Sequence, residues 1–122
     1  MSIRKTLACA VALVVMTSPG VAMAHADLED ISPGNGSRLT LPVRNVTLRF
    51  NEDVSLPRVI VRDGQGKVMK GMIARRGDNP VVTFTLATVL RRGNYRVQWK
   101  ARSADGHWVS GTSTFIVQVT AP

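Results

Sequence analysis

The chain has 122 residues, with 16 Lys and Arg against 8 Asp and Glu, a formal net charge of +8 and a single cysteine. That length holds one small domain, and one cysteine excludes an internal disulfide framework or a thiolate metal cluster. The two histidines, His25 and His107, are then the scarce chemistry-bearing residues.

Residues 1–24 read as a secretory signal peptide cleaved after Ala24. Arg4 and Lys5 form its positive start, Leu7 to Met16 its apolar run, and Ala22-Met23-Ala24 a small-x-small cleavage site. Pro19-Gly20 breaks the helix before that site. The run is shorter than the roughly 20 residues a membrane span needs, and no second run follows, so a soluble mature chain is expected. Cys9 opens the apolar run rather than following it, and reads as an ordinary leader residue. Cleavage leaves a domain of residues 25–122 with 14 basic and 8 acidic residues, a net charge of +6 and His25 at its amino terminus. Such basicity steers a protein toward anionic lipid headgroups or an acidic partner, while export argues against nucleic acid. Its arginines are dispersed, however, with only Arg75-Arg76 and Arg91-Arg92 paired, and read chiefly as solvated strand faces.

Beyond the leader the hydrophobic period is two. Leu28 to Ile31 supplies a first strand, and Ser32-Pro33-Gly34-Asn35-Gly36 turns the chain. Val46, Leu48 and Phe50 alternate with Thr47 and Arg49. Val59 to Val61 forms a short strand ending at the turn signal Asp63-Gly64-Gln65-Gly66, and Lys67 to Ile73 pairs back as a hairpin. Val82, Phe84 and Leu86 alternate next, Thr88 to Arg91 reads as a helical turn, and Tyr95, Val97, Trp99 and Ala101 follow with Trp99 as a core anchor. Phe115, Val117 and Val119 close the pattern. Seven short strands with regular turns predict an all-β, antiparallel Greek-key β-sandwich of immunoglobulin-like shape. A cupredoxin-like barrel is the alternative closure of the same strands.

The chemistry gathers in Asp105-Gly106-His107. On an extended backbone, residues two apart point to one side, and the glycine permits a bend. A carboxylate and an imidazole then converge near the start of the last strand. With the amino terminus beside that strand, the amine and imidazole of His25 join Asp105 and His107 as three nitrogens and one oxygen. Tetragonal nitrogen and oxygen donors favour Cu(II) or Ni(II), and the divalent affinity order peaks at Cu(II). Zinc accepts the same ligands but prefers tetrahedral sites, often with sulfur. The amine must lose a proton whose free pKa is about 7.7–8.0, so binding weakens as pH falls.

These residues sit in a longer pattern that resembles the CopC family of periplasmic copper-resistance proteins along essentially the whole mature chain. The match runs through His25-Ala26, Ser32-Pro33, Gly36-Ser37, Val46-Thr47-Leu48-Arg49-Phe50-Asn51-Glu52, Gly93-Asn94-Tyr95-Arg96-Val97-Gln98-Trp99, Ser103-Ala104-Asp105-Gly106-His107, Val109-Ser110-Gly111 and Phe115-Ile116-Val117. The resemblance implies a β-sandwich that holds one Cu(II) ion per chain through His25, Asp105 and His107. Glu52, which matches a family glutamate at or near the copper, is either a further ligand or a hydrogen-bond acceptor beside it. Some relatives carry a methionine-rich loop for Cu(I), but the matching region here has only Met69 and Met72, which implies a Cu(II)-only protein. Trp108 stands where the family often has proline, as a shield over the copper or a surface aromatic. The implied partner is an inner-membrane copper transport protein of the CopD type, and the implied state a monomer.

Three functions compete at this level. A non-enzymatic carrier that sequesters or delivers copper for resistance or homeostasis fits best. A copper-dependent oxidase or monooxygenase with a terminal histidine is disfavoured, because Asp105 takes a position that oxygen activation needs open. An exported adhesion module without metal would ignore His107→Ala. No nucleophile–base arrangement or phosphate loop points to a hydrolase.

Overall fold

The computed structural model describes residues 25–74 and 77–119. The expected signal peptide, its cleavage site and the Arg75-Arg76 pair lie outside the described residues. The order is β1 (Leu28–Ser32), β2 (Ser37–Leu39), β3 (Val43–Asp63), β4 (Val68–Met69), β5 (Gly71–Ile73), β6 (Asn79–Leu90), β7 (Gly93–Ser103) and β8 (Trp108–Val117), with no helix among the described residues.

The long strand β3 organises the molecule. Its first half pairs with β1 and β6, through Leu48↔Ile31 and Leu48↔Val82, and β5 continues that layer beyond β6. Its second half pairs with β7 and β4, through Val61↔Val97 and Val61↔Met69, and β8 and β2 continue the other layer. The register breaks between Arg49 and Val54 on one side and between Ser55 and Arg58 on the other. Bulged strands bend and re-aim their side chains, so β3 passes here from one sheet of the sandwich to the other.

Period-two alternation then fills the space between the layers. Val46, Leu48, Phe50, Val82 and Leu86 of the first sheet face Val61, Val97, Phe115 and Val117 of the second, all at most 2% exposed. Burying side chains of this size stabilises by about 1.5–3 kcal/mol each. Trp99 is half-buried and meets the Phe50 ring edge-on, with centroids 5.4 Å apart. The bare backbone of Gly111 gives the indole its room, since a Cβ there would lie 2.6 Å from Trp99 Cζ2.

Three expectations change. Val46 to Phe50 and Val59 to Val61 belong to one strand, because the backbone stays extended through the crossing. Thr88 to Leu90 is strand, not a helical turn: Leu90 pairs with Val43 and is fully buried, and that packing overrides local preference. The sheet is also not wholly antiparallel. β2 lies parallel to β8, with Gly36 N–H donating to Thr114 O and Gln118 N–H to Leu39 O, which satisfies backbone groups on the outer edge of β8. The Asp63 turn forms as expected, with its carboxylate accepting from Gln65 and Lys67 N–H at 2.9 Å each. Lys67 to Ile73 divides, Val68–Met69 pairing back on β3 and Gly71–Ile73 crossing to β6.

Candidate metal centre

Two chain segments meet at the end of the sandwich where β3 changes sheets. The first is the approach to β1. Ala26 is 1% exposed, and its N–H donates to Ser103 Oγ at 3.4 Å. Asp27 N–H donates to Asn51 Oδ1 at 2.7 Å, and Asn51 N–H returns a bond to Asp27 O at 3.0 Å. This reciprocal pair pins the backbone beside His25 to the crossing of β3.

The second segment is the tight connection from β7 to β8. Ser103 N–H donates to His107 O at 2.8 Å and Gly106 N–H to Ser103 O at 2.9 Å. Gly106 has φ +92°, a conformation that glycine adopts without steric cost. Asp105 and His107 therefore converge through a turn, not through the extended backbone expected from their spacing.

Inside this turn the two oxygens of Asp105 divide their work. Oδ1 accepts from His107 N–H at 3.0 Å and from Ser103 Oγ–H at 2.8 Å. These bonds, the His107 backbone donor foremost and the Ser103 hydroxyl next, lower the Asp105 pKa to about 2. Oδ2 is buried and receives no backbone or hydroxyl donor. It instead faces His25 Nδ1 at 3.0 Å and His107 Nδ1 at 3.2 Å. The two imidazoles stand nearly perpendicular, with centroids 4.9 Å apart and an interplanar angle of 89°. One donor atom from each of His25, Asp105 and His107 falls within 4.8 Å of the others. A buried anionic oxygen flanked by two imidazole nitrogens at the solvent edge is suited to a cation.

The structure thus brings together His25, Asp105 and His107, while Glu52 is half-buried in the crossing of β3 and stands outside that group. Trp108 is 50% exposed, on the outer face of β8, with Lys100 Nζ 5.0 Å above its ring. Met69 packs against the core from β4, whereas Met72 on β5 is 71% exposed. Sequence reasoning gave no role to Ser103 or Asn51. Ser103 is 2% exposed and links the Asp105 carboxylate to the backbone beside His25. Its only signal was a small polar residue at an inward strand position.

A family model, the CopC domain, matches residues 28–118. Copper resistance protein C of Pseudomonas syringae pv. tomato is 29% identical over 112 residues, covering 84% of this chain and 88% of that protein. Copper transport protein CutJ of Bacillus subtilis is 30% identical over 109 residues, 86% of this chain, but the chain spans only 20% of that protein. The crystal structure of CopC from Methylosinus trichosporium OB3b superimposes with a TM-score of 0.72 at 28% identity, covering 80% of this chain and 98% of that one. With its β-sandwich and a family match over most of its length, the chain belongs to the CopC domain family.

Proposed function

We propose that this protein is an exported, periplasmic copper carrier that binds one Cu(II) ion as cargo at His25, Asp105 and His107. The observation that carries the reading is the meeting of His25 Nδ1 and His107 Nδ1 at the buried Asp105 Oδ2, an oxygen that no backbone or hydroxyl group engages. Nδ1 is also the imidazole nitrogen that closes a six-membered chelate ring with the amine of the same residue. Cleavage after Ala24 supplies that amine and completes a set of three nitrogens and one oxygen, which suits Cu(II) above other divalent ions. The names of the relatives, a copper resistance protein and a copper transport protein, support copper as the ion.

The protein acts as a monomeric carrier and not as an enzyme, since Asp105 occupies the position that an oxidase would keep open. It sequesters copper or hands it to a membrane transport protein of the CopD type. The occurrence of a similar domain as a fifth of a copper transport protein supports such a partner. Glu52 takes no part as a direct ligand.

Cu(II) titration of two preparations tests the site, one beginning at His25 and one retaining an additional residue before it. The extended form converts the amine to an amide and is expected to bind much more weakly. Equal affinity overturns the terminal chelate. Sustained peroxide formation by the reduced copper protein overturns the carrier reading.

A further inference from the structure

The outer face of the sheet that ends at His107 is uniformly basic, a property the dispersed arginines of the sequence conceal. Register places Arg58, Lys100 and Ser110 in one row across β3, β7 and β8, then Ile60, Gln98 and Thr112, then Arg62, Arg96 and Thr114. Arg102 pairs with Trp108 at the end nearest the metal centre. Five cations therefore share one face. All eight acidic residues lie off these rows, within residues 27–30, at the 52–53 crossing, at Asp63 where β3 ends, and in the loops at 78 and 105. Asp63, the nearest at the far end, directs its carboxylate into its own turn. The other sheet is different: Arg49 is paired with Asp30 at 4.0 Å, and Asn45 accepts from Thr85.

We infer that this face docks the protein on an anionic phospholipid bilayer. The face is broad, with two shallow, open depressions, one of about 350 Å³ that includes Arg58, Arg62 and Lys100 in its lining and one of about 600 Å³ at the far end that includes Arg62, Arg96 and Thr114. Protein interfaces centre on a largely apolar core, whereas the cationic rows of this face flank a central row of Ile60, Gln98 and Thr112 in which only Ile60 is apolar. A lipid surface rewards net positive charge without a matching contour, and clusters of about four to eight Lys and Arg suffice to hold a protein there. Trp108, 50% exposed, and Ile60, 41% exposed, add apolar contact, and tryptophan favours the headgroup level. Because Trp108 follows His107 directly, docking holds the metal centre at the membrane edge, within reach of a transporter embedded there.

Vesicle co-sedimentation of the chain from residue 25 onward, which contains every strand among the described residues, tests this inference. Retention is expected on phosphatidylcholine vesicles containing phosphatidylglycerol, not on phosphatidylcholine alone. It should vanish in about 1 M salt, where screening shortens to about 3 Å. The double variant Arg58→Glu/Lys100→Glu should partition at least about tenfold less. Arg44→Glu/Lys70→Glu, an equal charge change at exposed positions off this face, should retain most binding. Circular dichroism confirms folding, and Arg58→Glu/Arg96→Glu replaces the first variant if that one unfolds. Equal loss in the off-face control overturns the assignment to this face. Absence of binding to the anionic vesicles, with or without capture by poly-glutamate, overturns the bilayer as the occupant. Neither outcome alters the copper titration, so failure here leaves the copper reading standing.

Discussion

Replacing Ser103 by alanine removes one hydroxyl that touches both halves of the metal centre. Its Oγ donates to Asp105 Oδ1 at 2.8 Å and accepts from Ala26 N–H at 3.4 Å. The His107 N–H still holds Oδ1 at 3.0 Å, so the turn persists, but the carboxylate loses its second anchor and swings more freely beneath the imidazoles. Removing a group that orients a metal ligand costs about 10–100-fold in metal affinity. Separately, Ala26 is 1% exposed, and a buried donor left without a partner costs about 1–3 kcal/mol. The long 3.4 Å bond points to the lower end of that range. For a domain of this size, each kcal/mol shifts the melting temperature by about 4–8 °C. Competition for Cu(II) against a chromophoric chelator reads the first effect, and thermal unfolding of the metal-free protein reads the second. A lower melting temperature with unchanged copper affinity would refute the positioning role and leave Ser103 a packing residue.

Further outcomes follow from the same geometry. Glu52→Gln should leave Cu(II) affinity unchanged, because Glu52 stands outside the donor group; a substantial loss in titration would return it to the site. Gly111→Ala places a Cβ 2.6 Å from Trp99 Cζ2, and Trp99 cannot retreat without displacing buried Phe50, so urea unfolding should show a loss of about 1–3 kcal/mol. The folded-state pKa of Asp105 is lowered to about 2, so its contribution to apo-protein stability is complete well above the ordinary value of 3.8 and is lost as pH falls through about 2. The stability difference between the parent and Asp105→Asn, measured by denaturant at stepped pH, should therefore shrink on acidification; a constant difference would show that Asp105 does not titrate as a bonded carboxylate.

The fold was largely legible because inward and outward positions alternate with little ambiguity. Val46, Leu48 and Phe50, or Tyr95, Val97 and Ala101, declare a sheet face without any tertiary information. What alternation cannot express is which sheet a strand joins. The passage of β3 between layers occurs at bulges near Glu52 and Leu56, where the local pattern breaks, so one long strand reads as two short ones. The parallel edge strand β2 was hidden for a related reason. Three residues carry no period of their own, and their placement follows from the open edge of β8 that they cover.

Which residues gather at the candidate metal centre was legible in the sequence, but not how the chain brings them together. His25 and His107 stood out because they are the only histidines, and the spacing of Asp105 and His107 suggested convergence on an extended strand. The residues do converge, yet through a turn in which Gly106 takes a positive φ and Oδ1 of Asp105 caps the His107 backbone. This difference matters to the chemistry. On a strand, both carboxylate oxygens would be free and the ligand would rotate. In the turn, Oδ1 is committed to Ser103 and His107, and only Oδ2 remains to face the two imidazoles. Pre-orienting one oxygen lowers the conformational cost of capturing an ion. The same network ties Asp105 through Ser103 to Ala26, so the backbone beside His25 and the β7–β8 turn are held as one unit. Variants that loosen this link should weaken copper binding even when every ligand is retained.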